Sequence, residues 1–133
     1  MGVHALALLA SDSDRTLTSD EIAAGIDTNP VVVRRILSSL QDAGLVSSQK
    51  GPTGGSRLAQ SPKKISLAAV YQAIEKRPVL HVPYSASGVK DSHARKVTAS
   101  VKDIFQSANK AISGELEGIT IAQVVKRTQR GKK

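Results

Sequence analysis

Between positions 33 and 40 the apolar residues are Val33, Ile36, Leu37 and Leu40, the i, i+3, i+4, i+7 spacing of one helix face. The opposite face carries Val31, Arg34, Arg35, Ser38 and Ser39. Asn29-Pro30 predicts where this helix starts. The Asn side chain can cap, and proline suits the first helical position because its missing N–H would have no partner there. Gly44 predicts the end. Upstream, His4 to Ala10 predicts a first helix, with Leu6, Leu9 and Ala10 at helical spacing, broken by the polar run 11–15. Thr18-Ser19-Asp20-Glu21 forms a capping box. It predicts a short helix over 18–25 with Ile22, Ala23 and Ile26 inward, closed by Gly25 in the left-handed region.

Beyond Gly44 the period changes. Leu45 to Gln49 and Ser56 to Ala59 predict two strands, joined by Lys50-Gly51-Pro52-Thr53-Gly54-Gly55 as the tip of a hairpin. Ser66 predicts the cap of a helix running to about Lys76, with Leu67, Val70, Tyr71 and Ile74 on one face. Residues 77–90 are irregular, and from about Asp91 to Glu117 a long amphipathic helix is predicted. Its apolar stripe is Val97, Val101, Ile104, Phe105, Ala108, Ile112 and Leu116. Thr120-Ile121-Ala122-Gln123 is a second capping box, opening a last helix that dissolves into the basic tail from Lys126 to Lys133.

The fold class expected is mainly α with a small β-hairpin wing: a winged helix-turn-helix plus a long dimerisation helix. Residues 1–76 would form the winged DNA-binding domain, 77–90 a connecting loop, 91–117 the dimerisation helix, and 118–133 a C-terminal helix and basic tail. The two short helices over 18–43 supply the helix-turn-helix, and the hairpin supplies the wing. The second helix must bury one face and offer the other to a major groove. Arg34 and Arg35 can neutralise phosphates or read guanine edges, while Ser38 and Ser39 permit close approach. Lys50 and Arg57 flank a turn whose glycines allow main-chain amides near a phosphate. A nucleotide-binding P-loop is excluded, because Gly55 is followed by Ser56-Arg57 and the turn joins two strands.

Charge and composition sharpen this picture. Residues 1–27 hold five acids against Arg15, whereas 28–64 hold six bases against Asp42, and 119–133 hold five bases and no acid. A basic balance of +8 distributed this way points to a polyanionic partner. The chain has no cysteine, which removes disulfides, thiolate chemistry and cysteine-ligated clusters. His4, His81 and His93 have no ligand-like spacing, so no metal site and no cofactor are expected. No apolar run approaches the ~18–20 residues that span a bilayer. The N-terminal MGVHALALLA lacks the basic leader and the cleavage site of a signal peptide, which predicts a cytoplasmic protein.

The run from Leu17 to Glu75, LTSDEIAAGIDTNPVVVRRILSSLQDAGLVSSQKGPTGGSRLAQSPKKISLAAVYQAIE, resembles the Rrf-two (Rrf2) family of winged-helix regulators. That family includes an iron–sulfur regulator and a nitric-oxide-sensing repressor. DAGLV followed by KGPTGGSRLA carries most of the specificity, and the segment with HVP after the helix ending near 76 is similar to the family's cysteine-poor branch. The resemblance implies a symmetric dimer held by the long helix, with two recognition helices in successive major grooves of double-stranded DNA. It places Thr28, Asn29, Val31, Arg34, Arg35, Ser38 and Ser39 in the recognition segment, and Lys50, Thr53, Gly54, Gly55, Ser56 and Arg57 in the wing. Cluster-binding members carry three cysteines where this chain has 77–95 without any, so cluster and thiol sensing are not carried over. The family also has several residues before its first helix, whereas this chain starts almost inside it.

The function expected is therefore sequence-specific transcriptional regulation by a dimeric repressor, and not an enzyme. The alternative is a winged-helix module that contacts RNA or protein without operator specificity. A small-molecule effector remains open; its candidate position is the loop holding His81, Tyr84 and Ser85.

Overall fold

The computed structural model describes residues 1–12, 15–52, 54–75, 78–81 and 90–130. Helix α1 spans Gly2–Ser11, α2 Ser19–Gly25 and α3 Pro30–Asp42. Strands β1 (Val46–Gln49) and β2 (Gly55–Leu58) follow, then a 3-10 turn at Pro62–Lys64. Helices α4 (Leu67–Ile74), α5 (Ser92–Glu117) and α6 (Ile121–Arg130) complete the order. The fold is thus mainly α with one antiparallel hairpin, and α2–α3–β1–β2 are a helix-turn-helix with its wing.

Every helix start that carried a capping signal is where that signal placed it. Thr18 Oγ1 accepts from the Glu21 amide at 3.1 Å while Glu21 reaches back to the Thr18 amide at 3.3 Å. Asn29 Oδ1 accepts from Val31 N at 2.8 Å, with Pro30 at the first position of α3. Asp91 caps α5, and Thr120 with Gln123 caps α6. At the end of α3 the Gly44 amide donates to Gln41 O and the Leu45 amide to Leu40 O, with Gly44 at φ 77. This is a Schellman motif, and it needs the left-handed residue that glycine supplies.

The end of α2 differs from expectation. Gly25 is helical; the left-handed residue is Asp27, at φ 55, and the Thr28 amide closes the cap on Ala23 O. A Cβ at Gly25 would stand 2.8 Å from Leu8 Cδ1, the end of a side chain on α1 that would have to shift to admit it. Helix α1 begins two residues earlier than expected. Helix α4 ends at Ile74, with Glu75 extended, whereas Lys76 lies outside the described residues. Strands β1 and β2 are each offset by one residue from the predicted bounds.

The core is aliphatic. Leu6, Leu9, Ile22, Val33, Leu40, Ile65, Val70 and Ile121 are all essentially inaccessible. Two contacts between distant parts of the sequence knit it together. Leu17 pairs with Ser56 through two backbone hydrogen bonds of 2.9 and 2.7 Å, adding a third strand position to the wing. The Leu67 amide donates to Ile119 O, and the Ile121 amide to Ile65 O, which ties the α5–α6 corner to the segment before α4. Helix α6 consequently lies along α1 and stays helical to Arg130; it does not fray from Lys126 as predicted. Residues 131–133 of the basic tail lie outside the described residues.

Ile121 is the one fully buried side chain of α6 among the described residues. Ile121→Ala should destabilise the fold by about 2–5 kcal/mol, the usual cost of truncating a buried aliphatic residue. Denaturant unfolding measures it, and a change below roughly 1 kcal/mol would mean that α6 does not hold the core.

Candidate nucleic-acid interface

The candidate interface is built outward from the grip on α3. Val33, Leu37 and Leu40 are buried and Ile36 packs against the same core, so the helix has no freedom to roll. Val31, Arg34, Arg35 and Ser38 then face solvent together. Ser39 is half-buried and its hydroxyl donates to Arg35 O at 3.3 Å, so it lies at the edge of this face. Asn29 is exposed at the N-terminus of α3, and Thr28 is half-buried behind it. Arg34 and Arg35 make no ion pair among the described residues, where Arg15 with Asp12 and Glu21 forms the salt bridges.

Arg15 belongs to the scaffold. Its guanidinium donates to Glu21 at 2.8 Å, beside the capping box that starts α2. The Thr18 amide, and after it the Arg15 guanidinium, hold the Glu21 carboxyl below the ordinary glutamate range. Glu21 raises Arg15 in turn, first through their hydrogen bond.

The wing is fixed to α3 at its base. Ser48 Oγ donates to the Gln41 side chain at 3.1 Å, Gln60 Nε2 donates to Gly44 O at 3.0 Å, and the Ala59 backbone amide donates to Leu45 O at 3.0 Å. Lys50 and Arg57 are exposed on the hairpin. Other wing residues on the candidate list are placed differently. Ser56 is 6% exposed, because its backbone pairs with Leu17 on one side and it faces Ser48 on the other. Its side chain is therefore not part of the exposed face of the wing. Gly55, at φ 152, stands where a Cβ would meet Leu17 O at 2.7 Å, and the Gly54 amide closes a turn on Gly51 O. These two glycines serve the packing of the wing. Thr53 lies outside the described residues, as do Tyr84 and Ser85 of the candidate effector loop. His81 is exposed.

The α5 stripe divides in two. Val97 and Ile104 are exposed, at 49% and 64%, and Thr98 is the one buried residue of this helix. Val101, Phe105 and Ala108 are half-buried. Ile112 and Leu116 instead line a cleft against α4 of the same chain. No helix among the described residues is long and apolar enough to cross a membrane.

A helix-turn-helix with an outward-facing pair of arginines and a braced hairpin defines the winged-helix class of protein. A family model described as Rrf2, an iron-dependent transcriptional regulator, matches residues 1–127. The chain belongs to the Rrf2 family. It is 32% identical over 125 residues to YwnA of Bacillus subtilis (strain 168), named as an HTH-type transcriptional regulator, covering 94% of this chain and 92% of that one. A crystal structure described as a DNA-binding protein superposes with a TM-score of 0.76 at 32% identity, covering 92% of this chain and 94% of the other. T. potens IscR shares the fold with a TM-score of 0.73 at 22% identity, over 99% of this chain and 85% of its own. The iron in the family description finds no donor set here. The chain has no cysteine, and among the described residues no three His, Asp or Glu side chains converge.

Thr18→Ala should lower stability by about 0.5–2 kcal/mol through loss of the cap. Glu21 has a lowered pKa in the folded state, so its contribution is present at neutral pH and is lost as pH falls through that lowered value. Thermal stability across the acid range should therefore fall more steeply for the wild type than for Glu21→Gln, which has no carboxyl to titrate. Parallel curves would contradict the role given to the capping box.

Proposed function

We propose that the chain is a homodimeric, sequence-specific DNA-binding transcriptional regulator acting as a repressor in the cytoplasm, with no catalytic role. Helix α3 enters the major groove and the wing follows the adjacent backbone. The observation that carries this reading is the outward face of α3: two exposed arginines without ion-pair partners among the described residues, on a helix held by three buried side chains. Arg34 and Arg35 read base edges; Asn29, Val31 and Ser38 line the contact; Lys50 and Arg57 meet phosphates. Residues 1–76 act as the DNA-binding unit, 77–90 as the connection, 91–117 as the dimerisation helix and 118–133 as a C-terminal helix with a basic tail.

The dimer reading is supported by the exposed part of α5. A helix of 26 residues is about 39 Å long at roughly 1.5 Å per residue, and Val97 and Ile104 on it are left in solvent. A second copy packed along Val97, Val101, Ile104, Phe105 and Ala108 would cover them, with Ile112 and Leu116 shared with α4. Two recognition helices would then address half-sites about one helical turn apart, roughly 34–36 Å.

One set of titrations tests the reading, on a duplex selected by the protein from random DNA and on its scrambled counterpart, at several salt concentrations. An arginine bidentate to guanine contributes about 1–3 kcal/mol of discrimination, whereas a phosphate contact affects all sequences alike. Arg35→Ala should cut binding to the selected duplex more than to the scrambled one, and Lys50→Ala should weaken both similarly. Ile104→Asp leaves the monomer's core untouched, so it should yield a folded monomer that binds weakly. If Arg34→Ala and Arg35→Ala both preserve the ratio between the two duplexes, α3 does not read sequence through these arginines.

A further inference from the structure

Helix α4 sits between two parts of the molecule. On one side it lies against α3, and on the other against the C-terminal half of α5. Between α4 and α5 is a cleft of about 300 Å³. Its apolar walls include Ala68, Val79, Ile112 and Leu116. Part of its lining is held in place: the Leu80 amide donates to Asn109 Oδ1 at 2.9 Å, and Asn109 Nδ2 donates to Leu80 O at 2.8 Å. One side chain on α5 thus pins the 78–80 segment, whose Pro78 and Val79 line the cleft, with a two-bond pair.

Two opposite charges line this cleft, Glu75 at the end of α4 and Lys110 on α5. They form no ion pair with each other, and neither makes a side-chain hydrogen bond among the described residues. Two unlike charges that line one cleft without pairing with each other are matched by a ligand carrying both signs. The volume is at the low end for small-molecule sites, which run from roughly 300 to 1,000 Å³. That size suits a ligand no larger than a free amino acid better than a nucleotide or a coenzyme.

We propose that the α4–α5 cleft binds a small zwitterion of the free apolar α-amino acid class. Glu75 takes the ammonium group, Lys110 takes the carboxylate, and the side chain lies against Val79, Ile112 and Leu116. A ligand there touches both the helix that backs α3 and the helix with the exposed apolar stripe. Its effect on DNA affinity rests on the DNA-binding reading above; its binding does not.

Calorimetric titration of the full chain with L-leucine, in the absence of DNA, is the test. L-valine and L-phenylalanine bracket the side-chain size. N-acetyl-L-leucine removes the positive end and L-leucinamide the negative one. Glu75→Gln and Lys110→Gln remove the two protein charges, both on exposed side chains, and circular dichroism checks their fold. We expect at least one of the three amino acids to bind the wild type. Each blocked analogue of leucine and each variant should weaken binding about tenfold or more, as for loss of a charged hydrogen bond. No heat with any of the three amino acids would overturn the proposal. Binding indifferent to either substitution, or to blocking either end of the ligand, would overturn it as well. If the amino acid binds and the chain fails to bind DNA, the cleft stands and only the regulatory reading falls.

Discussion

Val33, Leu37 and Leu40 grip α3 from one side, and the placement of everything at the candidate interface depends on that grip. Each buried aliphatic side chain contributes about 1.5–3 kcal/mol relative to exposure. Together the three hold the helix against rolling, so the exposed positions of α3 present a fixed array. The caps at both ends do the same along the axis: Asn29 with Pro30 fixes where the helix begins, and the Schellman bonds at Gly44 fix where it stops. Because Leu45 and Val46 are buried immediately after that stop, β1 leaves α3 in one direction, and the hydrogen bonds from Ser48, Ala59 and Gln60 brace the wing.

The same core sets the character of α5. Ile65, Val70 and Ile121 close it from the C-terminal side, and the backbone bonds between 65–67 and 119–121 fix the corner from which α5 departs. The last turns of α5 pack on α4 and line the cleft there. Nearer its start Thr98 is buried while Val97 and Ile104 remain in water. One long helix thereby does two jobs along its length, packing within the chain at Ile112 and Leu116 and presenting an apolar surface nearer its start.

Much of this was legible in the sequence because its causes are local. A capping box lies within four residues, and the α3 stripe within eight, so helix starts and the inward face could be read directly. The exposed Arg34 and Arg35 followed from the same periodicity, and Lys50 and Arg57 from their place beside the glycine-rich turn. The remainder depends on contacts between residues far apart in the chain. Nothing near Leu17 signals that it will pair with Ser56, so the burial of Ser56 was missed and it was placed among surface residues. Gly25 looked like a helix terminator, but the left-handed residue that ends α2 is Asp27. Ile65 and Ile121 lie 56 positions apart, and their backbone bond sets against α1 a helix that continues past Lys126, where a loose tail was expected. The α4–α5 cleft was illegible for the same reason, since its charges and its Asn109 clamp come from separate segments.

The central claim is that a dimer presents two copies of α3 to DNA with a fixed separation. Selection of bound sites from a pool of random duplexes, followed by footprinting of the enriched sequence, tests it most directly. The account predicts a two-fold symmetric site whose half-sites are centred about 10–10.5 base pairs apart, or a multiple of that, with protection over both. Enrichment of a single unsymmetric half-site, or of no sequence at all, would contradict it.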